Sequence, residues 1–143
     1  MHRKRSRSLA ALILAAVLAV SAVAVPMALA GGSKTVVGEA HAPTLHKTVL
    51  TNTKGLTLYS LSVEKNGKFI CTGSCTSTWF PLIVARGTTP KGPVKLGTIK
   101  RPEGKIQVTF KGLPLYTFDG DSAKGQAKGE GFKDVGTWHA VTP

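Results

Sequence analysis

Acidic side chains are scarce in this sequence. Seven Asp and Glu stand against 19 Lys and Arg in 143 residues, and the seven do not fall into pairs that would divide acid and base roles between two carboxylates. No Ser occupies a G-x-S-x-G elbow, where a nucleophile would be exposed on a strained turn, and no C-x-x-C-H haem attachment occurs. Cysteine is rarer still, with only Cys71 and Cys75. Neither lies near the N-terminus, which excludes lipid attachment to a new N-terminal cysteine. No segment carries the apolar period of an amphipathic helix. The basic residues are thinly spread, without the aromatic-rich basic tract that binds single strands. Little is left from which to assemble an active site, and the chain reads as a non-enzyme with no cofactor, no metal and no nucleic-acid partner.

What is present begins with an address. Arg3, Lys4, Arg5 and Arg7 precede a run, residues 9–25, built almost entirely of Ala, Leu, Val and Ile. Pro26 ends the run, and Ala28-Leu29-Ala30 fits the small-x-small pattern of a secretory cleavage site. Residues 1–30 therefore read as a signal peptide helix cleaved before Gly31. The alternative is an uncleaved anchor, since residues 9–30 reach the roughly 20 apolar residues that span a bilayer. A membrane enters only in that case. The remaining 113 residues suffice for one domain. They hold 15 Lys and Arg against seven Asp and Glu, a net of +8, which suits anionic components of a cell envelope.

Residues 31–45 are small, polar and aperiodic, and read as a flexible tether. From His46 onward short runs of period 2 alternate with Gly, Pro and Asn, the pattern of strands and turns. In residues 105–110, Ile106, Val108 and Phe110 share one face and Lys105, Gln107 and Thr109 the other. Lys111-Gly112 then supplies a tight reversal. Pro114 marks the partner strand as an edge or a bulge, and Pro102 and Gly104 place a turn before residue 105. The fold class is all-β.

The chain also repeats itself. Lys54, Gly55, Leu56, Leu58 and Tyr59 recur as Lys111, Gly112, Leu113, Leu115 and Tyr116, at a constant offset of 57. Trp79 in "WFPL" answers Trp138 in "WHAV" at an offset of 59. Each half reads as a hairpin, a variable loop and a Trp-led strand. Repeat 1 covers about residues 46–85, repeat 2 about 94–143, and the Gly- and Pro-rich stretch 86–93 joins them. Neither half has enough core to stand alone, so both should pack on one core, with Trp79 and Trp138 as structural aromatics.

Cys71 and Cys75, four apart in an exported chain, predict a structural disulfide. The sharper alternative is redox or copper handling, because soft thiolates select Cu(I); His41, His46 and His139 are the available third ligands. Asp119, Asp121 and Glu130 occupy positions 1, 3 and 12 of a calcium-loop pattern, but Ala123 and Lys124 stand where a ligand and a glycine are required. Lys124 and Lys128 would repel the cation.

Tyr116, Phe118 and Asp121 in "YTFDGD" meet the pattern Y-x-[FWY]-x-x-D. Together with "GLTLYSL", "CTGSCTSTWFPLI", "QVTFKGLPLY", "GEGF" and "GTWHAV", they make residues 46–143 resemble a bacterial family of predicted secreted lipoproteins, or secreted repeats of unknown function. The resemblance implies an exported bacterial envelope protein of two repeats with no established activity. The chain departs from the family in lacking the lipoprotein cysteine. Its first copy, Tyr59, Leu61 and Glu64, puts Leu and Glu where the motif has an aromatic and Asp, which argues against two equivalent binding sites.

The motif reads mainly as a folding device. Tyr116 and Phe118 are two apart on a strand and bury aromatic area on one face, while Asp121 accepts turn N–H groups. Glu64, one methylene longer, should do this less well. The alternative is that the Tyr and the carboxylate face outward as a ligand site. Taken together, the sequence describes an exported envelope protein of unknown activity, acting as a structural or binding module.

Overall fold

Twelve short strands, separated by glycine-bearing turns, follow the punctuation of the sequence in a computed structural model that describes residues 31–143 and, ahead of them, Val23 alone. The signal-peptide helix expected in residues 1–30 lies outside the described residues. Strand β1 (Ser33–Thr35), β2 (Val37–Ala42) and β3 (Lys47–Asn52) come first. The first half continues with β4 (Tyr59–Leu61), β5 (Trp79–Pro81) and β6 (Ile83–Val84). After β7 (Thr89–Lys91) follow β8 (Leu96–Lys100), β9 (Ile106–Phe110), β10 (Leu113–Pro114), β11 (Tyr116–Phe118) and β12 (Trp138–Ala140). Among the described residues the helical pieces are two 3-10 turns, Pro43–Leu45 and Gly73–Ser77. The domain is all-β, as its alternation and turn residues predict. Among the described residues no helix is long and apolar enough to cross a membrane.

Turn chemistry sets the β9–β10 register. Lys111 and Gly112 both take positive φ, 50° and 77°, the left-handed pair that matches the twist of a two-residue hairpin. Leu113 thereby falls opposite Phe110. Pro114 lies on a strand paired on one side only, where its missing N–H costs nothing. The turn through Pro102 closes with Gly104 N–H donating to Arg101 O at 2.9 Å and sets β8 against β9 over five residues.

One expectation needs correction. Residues 31–45 are not a tether: β2 pairs with β3 over six residues, from Val37 opposite Asn52 to Ala42 opposite Lys47. Val37, Ala40 and Ala42 are buried, and β1 runs parallel to β7. The inward side chains there are mostly alanine, too small to give a visible hydrophobic period. On β9 the polar face of the pattern is covered as well as the apolar one. β8 flanks one edge of it and β6 and β10 share the other, and Gln107 and Thr109 are buried alongside Val108 and Phe110. A strand covered on both faces loses the polar side on which alternation depends.

The two halves interlock rather than stack. The second four-stranded sheet runs β12-β4-β11-β5. Tyr59 on β4 lies opposite Tyr116 on β11, so the two "LY" strands pair with each other at its centre. Each Trp strand then pairs with the opposite half: β5 with β11, placing Trp79 opposite Phe118, and β12 with β4, placing Trp138 opposite Leu61. An aliphatic cluster of Val37, Leu50, Leu58, Val108 and Leu115 fills one part of the interior. An aromatic cluster of Tyr59, Trp79, Tyr116 and Trp138, with Leu61 and Cys71, fills the next.

Candidate functional site

The aromatic cluster is where the sequence motif converges. Trp79 and Trp138 stack with ring centroids 3.8 Å apart and planes 6° from parallel. Tyr59 meets Trp79 edge-on at 5.4 Å, and Tyr116 meets Trp138 edge-on at 5.1 Å, the arrangement that brings positive ring edges to negative ring faces. Phe118, only partly buried, lies 4.6 Å from Trp79. Leu61 fills the equivalent place in the first copy and is buried.

Burying two phenols obliges the fold to satisfy two hydroxyls, and it does so crosswise. Tyr59 donates to Asp121 Oδ2 at 2.6 Å and accepts Gly129 N–H at 3.2 Å. Tyr116 donates to Glu64 Oε2 at 2.8 Å and accepts from Arg101 Nη1 at 3.2 Å. Each copy's carboxylate thus serves the other copy's tyrosine. The remaining oxygens fasten loops. Glu64 Oε1 accepts Ile70 and Cys71 N–H, both at 2.7 Å, and Asp121 Oδ1 accepts Lys128 N–H at 3.0 Å. Glu64 is fully buried and Asp121 is 5% exposed. The expectation that Glu64 serves less well is corrected here: its extra methylene lets it reach two N–H groups as well as the phenol. The backbone at Gly129 runs so close to the rings that a β-carbon there would sit 2.7 Å from the Trp79 ring, which only glycine avoids.

Arg101 completes the interior, although its neighbours in sequence, Pro102 and Gly104, signal only a turn. Its side chain is fully buried. The guanidinium pairs through Nε with Glu103, donates to Gln107 Oε1 at 2.6 Å and to Cys71 O at 2.8 Å, and lies over the Phe69 ring at 5.0 Å. Gln107 in turn donates to Leu115 O at 2.7 Å. Burial alone would lower the pKa of Arg101, but hydrogen bonds with Glu103 and Tyr116 leave it above its ordinary value. The same contact holds the Glu103 carboxyl below the usual carboxylate range. The one signal in the sequence was an Arg within a run of otherwise surface-type lysines.

Both phenols are pushed well above their ordinary pKa. For Tyr59 the main cause is burial, followed by the hydrogen bond to Asp121. For Tyr116 it is burial, then the charge of Glu64 and the bond to it. A raised tyrosine pKa contributes stability that is complete below the unfolded value near 10 and is lost as pH climbs from there toward the folded pKa. The chain has only two tyrosines. Phenolate absorbance on alkaline titration should therefore stay flat past pH ~10 and then rise together with loss of β-sheet circular dichroism. A tyrosine ionising near its ordinary pKa in the folded protein would contradict this burial.

Cys71 and Cys75 form the disulfide, Cα atoms 5.2 Å apart, across the 3-10 turn that leads to Trp79. Cys71 is buried and held at both N–H and carbonyl by Glu64 and Arg101. Replacing both cysteines with serine should lower stability by about 2 kcal/mol, the loop-entropy value for so short a ring, and leave the fold intact, seen as a lower Tm. Tight stoichiometric Cu(I) binding by the reduced protein would favour the redox reading instead.

The other candidate residues do not gather. Among the described residues no group of three His, Cys, Asp or Glu is placed to hold a metal ion. Of the calcium-loop positions, Asp121 is committed to Tyr59, and Glu130 accepts Ala140 N–H at 2.6 Å and contacts His139 Nδ1 at 2.9 Å. His41 and His46 are exposed on the β2–β3 hairpin.

Open depressions mark the surface near that hairpin. One of about 450 Å³ is lined by Thr35, Glu39, Asn52, Lys54 and Lys124 among others. A second, about 300 Å³, adjoins Lys124 and Lys128.

Residues 97–142 match the model of a family described as a secreted repeat of unknown function. The matched segment contains Tyr116, Phe118, Asp121 and Trp138, residues that carry the resemblance in the sequence. No curated protein and no solved structure matches the chain.

Proposed function

We propose, proceeding from the match of residues 97–142 to a family of secreted repeats, that the protein is an exported module of the bacterial cell envelope that binds through its surface and catalyses nothing. The division between its charges carries this reading. Every group with the chemistry of an acid, base or nucleophile in the motif faces inward: Tyr59, Tyr116, Glu64 and Asp121 are buried and bonded to one another or to backbone N–H groups. A general acid or base must reach its substrate, and these cannot. The surface is what remains. Of the 15 Lys and Arg in residues 31–143 only Arg101 is buried, whereas Glu64 and Asp121 are withdrawn from the seven carboxylates, so 14 exposed cations face five exposed anions. A field of that sign draws a protein toward anionic polymers and lipids.

The basic start, apolar run and Ala28-Leu29-Ala30 support export with cleavage before Gly31. The test is co-sedimentation of the exported protein with isolated bacterial envelopes across a salt series. Binding that weakens as salt screens the charge is the expected result. A protein that stays in the supernatant even at low salt would overturn the reading.

A further inference from the structure

We propose that the groove over the β2–β3 hairpin is a binding site for a phosphodiester-linked polyol chain, with Lys54, Lys124 and Lys128 taking the phosphates and Thr35 and Asn52 the hydroxyls. The proposal deepens the envelope-module reading and rests on it. Lys124 lines both surface depressions, so its cation stands where they adjoin. Their volumes fall in the range of ligand sites, about 300–1,000 Å³, yet both are open, as a passing chain requires.

Lys124 is placed rather than merely present. Its stem lies against Gly55: the Cβ and Cγ atoms of Lys124 sit 3.3 Å from where a side chain at Gly55 would begin. Packing of the stem leaves the ammonium head at the groove. The loop that carries it is fastened throughout. Gln126 Oε1 accepts Ser122 and Ala123 N–H at 2.6 and 3.1 Å, Thr57 Oγ1 donates to Gln126 O at 2.5 Å, and Asp121 holds Lys128 N–H. On the facing side, Asn52 Oδ1 accepts Lys54 and Leu56 N–H at 3.0 Å, fixing the turn that presents Lys54. The tyrosine-bound carboxylate thus has a consequence at the surface: Asp121 anchors the loop that offers two of the three cations.

The residue types favour an anionic, hydroxyl-bearing ligand. Lysine binds phosphate as a point charge, and among the described residues Lys54, Lys124 and Lys128 are the cations that line the two depressions. No aromatic ring lines them, so there is no platform for stacked bases of the kind single-strand binders use. Thr and Asn supply neutral donors and acceptors suited to hydroxyls. Glu39 is the one carboxylate in the lining.

The test measures binding of soluble poly(glycerol phosphate) to the exported protein by calorimetry over a salt series. Lys54→Gln with Lys124→Gln should weaken binding about tenfold and flatten the salt dependence, as loss of two phosphate contacts requires. Lys105→Gln with Lys111→Gln removes equal charge elsewhere and should change affinity by no more than about twofold. All four lysines are exposed, and unchanged melting confirms that the variants are folded. Equal losses in the two double variants, or equally tight binding of single-stranded DNA or of a polycarboxylate of the same charge, would overturn the site. If wild type and the groove variant sediment alike with envelopes, the site falls and the module reading stands; if wild type does not sediment, the module reading falls first.

Discussion

Glu64→Ala is expected to be among the most damaging single substitutions in this protein, although Glu64 belongs to the copy of the motif that departs from the pattern. The change leaves Tyr116 Oη, Ile70 N–H and Cys71 N–H without their acceptor, inside a structure where Arg101 stays buried. Each buried polar group left unpaired costs about 1–3 kcal/mol, and stripping one partner from a buried charged network costs about 3–5 kcal/mol. Small domains are stable by only about 5–15 kcal/mol. Denaturant titration should therefore show a large drop in midpoint, or no folded baseline at all at 37 °C. Glu64→Gln keeps an acceptor in place and should recover part of the loss. A midpoint close to that of the natural sequence for Glu64→Ala would show that the buried bonds are dispensable.

Trp138→Ala should rival it through packing alone. The ring is fully buried and stacked on Trp79, it carries the edge of Tyr116, and deleting a buried Trp costs about 3–5 kcal/mol. Trp138→Phe should cost roughly half of that or less, because only volume is lost. Among the described residues buried Trp138 Nε1 meets no hydrogen-bond partner, so the smaller apolar ring gives up no polar contact with them. Circular dichroism from the stacked indole pair should vanish in both variants, while chemical denaturation separates them. Equal destabilisation by Phe and Ala would mean that the indole nitrogen has a partner in solution.

The sequence made the strands, the Lys111-Gly112 reversal and the burial of both tryptophans legible, because each rests on local pattern: period 2, positive φ at a turn, and aromatics in an otherwise aromatic-poor chain. The same local rules failed where tertiary pairing decides. Residues 37–42 hide a strand because its buried residues are Val and Ala with a glycine between them. Gln107 lies on the polar face of the β9 pattern, and nothing local shows that this face is buried too. Arg101 looked like any turn residue, since nothing nearby in sequence announces that Cys71 O and Gln107 will meet its guanidinium. The motif itself was half legible. Spacing shows that a carboxylate follows each tyrosine by five residues, but not which tyrosine it serves. That is decided by the pairing of β4 with β11, between strands far apart in sequence. Once the strands are exchanged, Glu64 is no longer a lapsed copy of Asp121 but its counterpart.

Exchange of carboxylates between the two copies of the motif can be measured with one acid and two tyrosines. Stabilities of Asp121→Ala, Tyr59→Phe, Tyr116→Phe and the two Asp121 double variants complete a pair of double-mutant cycles. Tyr59 and Asp121, 62 residues apart and hydrogen-bonded, should be coupled by about 1 kcal/mol or more, whereas Tyr116 and Asp121, within one motif, should be additive to about 0.5 kcal/mol. Coupling of Asp121 to Tyr116 and not to Tyr59 would contradict the account.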